Sequence, residues 1–100
     1  MDKLSTAQVM EALKGVPEWT LVGAEIQRTY KFKDFVRSMR FVNAVAEAAE
    51  ADQHHPDMLI RYNRVTLTLS THDAGGITGK DFALARTADE RAGETPEAEP

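Results

Sequence analysis

Residues 65–71 read Val-Thr-Leu-Thr-Leu-Ser-Thr, the cleanest two-residue repeat in the chain. Side chains alternate across a strand, so Val65, Leu67 and Leu69 share one face and Thr66, Thr68 and Ser70 the other. One dry and one wet face mark a strand of an antiparallel sheet that is covered on a single side. The fold must then supply partner strands and a layer to cover the apolar face.

Both can be read nearby. Met58–Tyr62 reads as a strand, with Asn63–Arg64 as the turn into 65–71. Trp19–Val22 and Ile26–Phe32 form a second pair around Gly23. In the latter, Ile26, Arg28, Tyr30 and Phe32 face one way and Gln27, Thr29 and Lys31 the other. Three helices are expected. Ser5 and Gln8 form a capping box flanked by the staple residues Leu4 and Val9, and Gly15 and Pro17 end that helix. Asp34 caps a long helix running to about Asp52. There Phe35, Met39, Val42, Ala46 and Ala49 recur at helical spacing, and Phe41, Val45 and Ala48 add a second apolar strip. So wide a face fits either a broad core contact or cover by both the sheet and a second subunit. Thr78 and Asp81 form another capping signature, with Ile77 and Phe82 as staple, opening a third helix to about Ala88.

The expected fold is α+β: a four-stranded antiparallel sheet with three helices packed on one face, in the order α-β-β-α-β-β-α. One domain over residues 1–92 is expected. Residues 93–100 are rich in Glu and Pro without a large apolar side chain, and are expected to be disordered.

Composition narrows the function. A net charge of −4 with no Lys/Arg cluster argues against direct binding of nucleic acid. The chain has no cysteine, which removes disulfides and thiolate metal sites and suits a reducing cytoplasm. MDKLSTAQ lacks the apolar centre of a signal peptide, and no apolar run nears the roughly 20 residues of a membrane span.

All three histidines, His54, His55 and His72, lie within one stretch. Pro56 disfavours helical geometry at His55, so the long helix should stop there. His72 continues the Thr/Ser face at the end of the last strand. Both segments can meet at one rim of the sheet. Four readings stand: capping or surface histidines; a metal site, weakened because His54 and His55 would point apart; a Ser70/His72/Asp73 hydrolase, which lacks a nucleophile elbow; and acid–base catalysis without metal.

The spacing goes further. Glu50, three residues, His54-His55-Pro56, five residues, Tyr62, nine residues, His72, eight residues, Asp81 resembles the signature of the pterin-4a-carbinolamine dehydratases. Thr71-His72-Asp73-Ala74-Gly75-Gly76-Ile77-Thr78 resembles that family's Thr-His-Asp-x-Gly-Gly-Leu-Thr run, and Trp19 and the Phe32/Asp34-Phe35 segment are similar too. The likeness covers about Leu4 to Ala88. Two positions depart from it: Met58 where an aromatic residue is common, expected to loosen a pocket wall, and Gln53 where an acidic one is common.

The resemblance implies an enzyme that removes water from a 4a-hydroxytetrahydropterin to give quinonoid dihydropterin, the recycling step after an aromatic amino-acid hydroxylase. It implies that His54 and His72 handle protons and that His55 binds the pterin or assists as an acid. It implies that Glu50 and Asp81 orient histidines or bind substrate. Ser70, two residues before His72 on one face, can contact the ligand. Pro56, Gly75 and Gly76 are read as architectural. No cofactor and no metal are expected, since the pterin is the substrate. The family also implies a homodimer or homotetramer. It offers an alternative of another class as well: a protein-binding or dimerisation module, since some members partner a homeodomain transcription factor and divergent relatives act as assembly chaperones.

Overall fold

A computed structural model describes residues 2–95. Its element order is α1 (Thr6–Leu13), β1 (Thr20–Val22), β2 (Glu25–Lys31), α2 (Phe35–Asp52), β3 (Asp57–Arg61), β4 (Arg64–Leu69) and α3 (Gly79–Glu94), with a one-turn 3₁₀ helix at His72–Ala74. The strands form a single antiparallel sheet ordered β1-β2-β4-β3. The expected architecture is therefore present. Among the described residues no helix is long and apolar enough to cross a membrane.

The alternation of β4 decides which face is covered. Val65, Leu67 and Leu69 are fully buried, together with Ile26 and Phe32 from β2 and the residue after it. Burying one such side chain stabilises the fold by about 1.5–3 kcal/mol. Trp19, Tyr30, Phe32 and Phe41 run through this core, with the Tyr30 and Phe41 ring centroids 4.5 Å apart. Arg28 breaks the apolar run of β2 but stays on the core side. It lies 4.3 Å over the Tyr30 ring and pairs with Asp89 of α3 at 2.8 Å. Asp89 also accepts from Trp19 Nε1 at 3.0 Å and from the Tyr30 hydroxyl, which fastens α3 to the sheet.

Several boundaries differ from expectation. The buried stripe of α2 is Ser38, Phe41, Val42, Val45 and Ala49, while Phe35 and Ala46 are exposed. Ser38 completes the stripe because its hydroxyl donates to Asp34 O at 3.0 Å and needs no water. The β3–β4 turn is Tyr62–Asn63, one residue earlier than read, so Arg61 pairs with Arg64. Asn63 holds it there: its side-chain amide donates to Phe32 O at 3.1 Å, and its carbonyl accepts from Phe32 N at 2.8 Å. Tyr62 consequently sits at φ 53°, in the left-handed region. Helix α3 continues past Ala88 to Glu94, because Ala92 extends its buried stripe and Arg91 pairs with Glu94. Residues 93–94 of the expected disordered tail are thus helical, and residues 96–100 lie outside the described residues.

Candidate active site

Local chemistry places each histidine. Helix α2 ends at Gln53, whose left-handed backbone (φ 51°, ψ 40°) turns the chain off the helix axis. His54 N–H then bonds back to Ala49 O at 3.1 Å, and Pro56 leads into β3. His54 and His55 leave this turn in different directions. The His54 side chain is 11% exposed and its Nε2 lies 2.6 Å from Asp81 Oδ1. The His55 side chain is 58% exposed and its Nε2 lies 2.7 Å from Glu50 Oε2.

His72 does not extend β4, as the strand reading had it. Thr71 and Gly76 exchange backbone hydrogen bonds, N to O at 2.8 Å and 3.4 Å, closing a loop that carries His72 on its first turn. Gly75, at φ 72°, supplies the left-handed residue that this closure needs. At Gly76 a Cβ would come within 3.2 Å of the Lys3 side chain, a tight contact that a small shift of that side chain would relieve.

Asp81 joins the two segments. It is fully buried at the N-terminus of α3, where it completes the capping box with Thr78. Its Oδ2 accepts from Thr78 N at 2.9 Å and Thr71 Oγ1 at 2.8 Å, while Oδ1 meets His54. Thr71 and Thr78 hydroxyls lie 2.7 Å apart. A carboxylate only accepts, so His54 Nε2 donates to it and Nδ1 of the neutral ring is left to take a proton. Capping and histidine positioning are one role here. Among the described residues no hydrogen bond links one histidine ring to another; what the structure ties together is His54, Asp81 and Thr71, the residue before His72.

His72 lines a recess of about 340 Å³ between the β1–β2 turn and the 71–76 loop, together with Ser70, Glu25 and the chain at Gly23–Ala24 and Gly75–Gly76. Ser70 Oγ donates to Glu25 Oε2 at 3.4 Å. Met58 is partly buried against the core and is not among the residues that line this recess. A larger hollow of about 630 Å³ near Tyr62 contains no histidine or carboxylate.

Glu25 and Thr71 were not singled out from sequence. For Thr71 a signal existed: it shares the parity of Val65, Leu67 and Leu69, hence the buried side that faces α3. Glu25 stands alone at a strand start, and no spacing points to it.

Residues 2–91 match the family described as pterin 4 alpha carbinolamine dehydratase. Two relatives provisionally named pterin-4-alpha-carbinolamine dehydratase are each 53% identical. The one from Cyanothece covers 83% of this chain and 86% of its own, and the one from Chloroflexus aurantiacus covers 93% and 100%. The crystal structure of a transcriptional coactivator/pterin dehydratase from Brucella melitensis is 36% identical, with a TM-score of 0.87 over 90% of this chain and 98% of that one. A pterin dehydratase-like RuBisCO assembly factor of the alpha-carboxysome shares the fold alone, at 21% identity and a TM-score of 0.63, over 75% of this chain and 87% of that one. With nearly every described residue inside the match, the chain belongs to the pterin 4 alpha carbinolamine dehydratase family.

Proposed function

We propose that this chain dehydrates a 4a-hydroxytetrahydropterin to quinonoid dihydropterin by histidine acid–base catalysis. The C4a–O bond breaks and the departing oxygen takes a proton from an acid. The N5–H proton goes to a base, its electron pair closes the C4a–N5 double bond, and water leaves. No electron is gained or lost, so the balance calls for no redox cofactor, and two proton transfers complete it. The observation that carries this reading is Asp81, which fixes His54 by one oxygen and the segment leading to His72 by the other. His54 and His72 exchange the protons, and His55, with Glu50 behind it, assists at the solvent side. The cytoplasm suits a cysteine-free chain that follows an aromatic amino-acid hydroxylase in one pathway.

A hydroxylase-generated carbinolamine, followed by ultraviolet absorbance, tests the reading with and without a chelator. The wild type is expected to accelerate its loss in both conditions, and His54→Ala and His72→Ala to lose that acceleration. A folded wild type that leaves the spontaneous rate unchanged refutes it.

A second reading has its own observation. Phe35 and Val36 at the start of α2 are 49% and 53% exposed, apolar surface suited to a protein contact. A homodimer or homotetramer, or a non-catalytic binding module on this fold, would cover it. Light scattering on the wild type and on a Phe35→Ser/Val36→Ser double variant separates a self-contact, which the variant weakens, from a surface kept for another protein.

A further inference from the structure

The recess beside His72 contains a carboxylate for which the dehydration has no use. Glu25 opens β2, and the register that pairs Ile26 with Leu69 sets Glu25 beside Ser70. Among the described residues the Ser70 hydroxyl, at 3.4 Å, is its one hydrogen-bond partner, and no cation pairs with it. At that distance the bond is weak, so a half-buried carboxylate retains nearly all of its accepting capacity. Partly buried charge of this kind is costly unless donors arrive.

The rest of the recess defines those donors. Gly23, Ala24, Gly75 and Gly76 bring no side chain longer than a methyl group, so backbone forms much of the wall of this open recess, which Val22 and Thr71 complete. Its volume, about 340 Å³, admits a flat two-ring heterocycle. His72 and Ser70 supply polar groups beside it. A carboxylate has two oxygens that accept parallel hydrogen bonds, as they do from a guanidinium fork. A 2-amino-4-oxopyrimidine ring presents the same fork, its N3–H and its 2-amino group.

We propose that Glu25 is the specificity residue of this recess, accepting from N3–H and the 2-amino group of the pterin so that ring recognition and proton transfer at His72 share one slot. The proposal rests on the pterin reading above and adds how the ring is chosen. A 2,4-dioxo ring (a lumazine) places a carbonyl oxygen where the amino group stood, against the carboxylate, and is rejected.

Fluorescence titration of the wild type and Glu25→Gln with 6-methylpterin and 6-methyllumazine tests this, alongside turnover of the carbinolamine. The wild type is expected to prefer the pterin by about 100-fold or more. An amide offers one acceptor and one donor, the complement of a lumazine edge, so Glu25→Gln should narrow or reverse that preference. Its KM should rise about tenfold or more with kcat nearly unchanged, the mark of lost uniform binding. If the wild type turns over the carbinolamine but Glu25→Gln keeps both affinities, the role of Glu25 is overturned and the dehydratase reading stands. If the folded wild type neither binds the pterin nor turns over the carbinolamine, both fall.

Discussion

Replacing Asp81 by Asn separates what this carboxylate does for the fold from what it does for His54. The side chain is fully buried and accepts three hydrogen bonds, at 2.6, 2.8 and 2.9 Å. Hydrogen bonds to a charged group contribute about 1.5–3 kcal/mol each, against about 0.5–1.5 for neutral ones. Asn keeps an oxygen that can serve Thr78 N and Thr71 Oγ1, so the expected loss is the difference over two or three bonds, about 2–4 kcal/mol. For a domain of this size that lowers Tm by about 8–30 °C. Alanine would also leave buried donors at Thr78 and Thr71 without a partner, and could exhaust a total stability of about 5–15 kcal/mol. Asn is therefore the informative change. Its NH₂ now faces His54 Nε2 and donates where the carboxylate accepted. The ring is driven into the other tautomer, with Nδ1 protonated and unable to act as a base. A positioned general base contributes about 10²–10⁴-fold, so turnover per folded molecule should fall at least 10²-fold. Urea unfolding gives the stability, the carbinolamine assay normalised to folded protein gives the rate, and ¹⁵N chemical shifts of the His54 ring give the tautomer. An unchanged urea midpoint refutes the energetic argument. A full rate, or a His54 ring in its original tautomer, refutes the orientation.

Three further outcomes follow from other groups. Asp89→Ala removes the common acceptor of Trp19 Nε1, Arg28 and the Tyr30 hydroxyl, and should cost about 2–4 kcal/mol in urea unfolding while turnover per folded molecule is retained. Burial, and after it the Asp89 carboxylate, raise the Tyr30 phenol well above its ordinary value of 10.0. The folded state then holds this proton more tightly than the unfolded one, so its stabilising effect is complete below pH 10.0 and is lost as pH rises beyond it. Urea midpoints measured into that alkaline range should fall, and Tyr30→Phe should remove this part of the fall. Glu50→Gln breaks an exposed pair with His55 and should shift stability by less than about 0.5 kcal/mol, while a change in pterin affinity would reveal that His55 needs its partner.

Elements with local signals were legible in the sequence. Both capping boxes, the Asp34 cap and the faces of β4 depend on residues within a few positions of one another, and each appears where it was read. Errors arose where a distant group decides. Ser38 does not look apolar, yet it belongs to the buried stripe of α2, whereas Phe35 matches the spacing and stays exposed. Asn63 looks like either turn position until Phe32, just past the end of β2, fixes it by two hydrogen bonds. The polar run after Ala88 hides a helix because its anchor, Asp89, bonds to residues 59 to 70 positions away.

The site divides in the same way. The histidines stood out by their own clustering, and the family resemblance brought Glu50 and Asp81 under consideration beside them, but neither could say that Asp81 reaches back 27 residues to His54. Asp81 and Asp89 lie about two turns apart on α3, and each accepts three hydrogen bonds from other segments or from the start of the helix. By donor count they are equivalents and both anchor α3, although the Asp81 side chain is fully buried and that of Asp89 is 28% exposed. They differ in what donates to them. The partners of Asp89 are an indole, a guanidinium and a phenol that keeps its proton, so nothing there changes charge near neutral pH. Among the partners of Asp81 is an imidazole, the one side chain whose ordinary titration falls in that range. On the dehydratase reading, an acidic residue that anchors a helix joins the proposed proton-transfer site through the identity of a single donor, and that donor comes from the turn that Gln53 and Pro56 build at the end of α2.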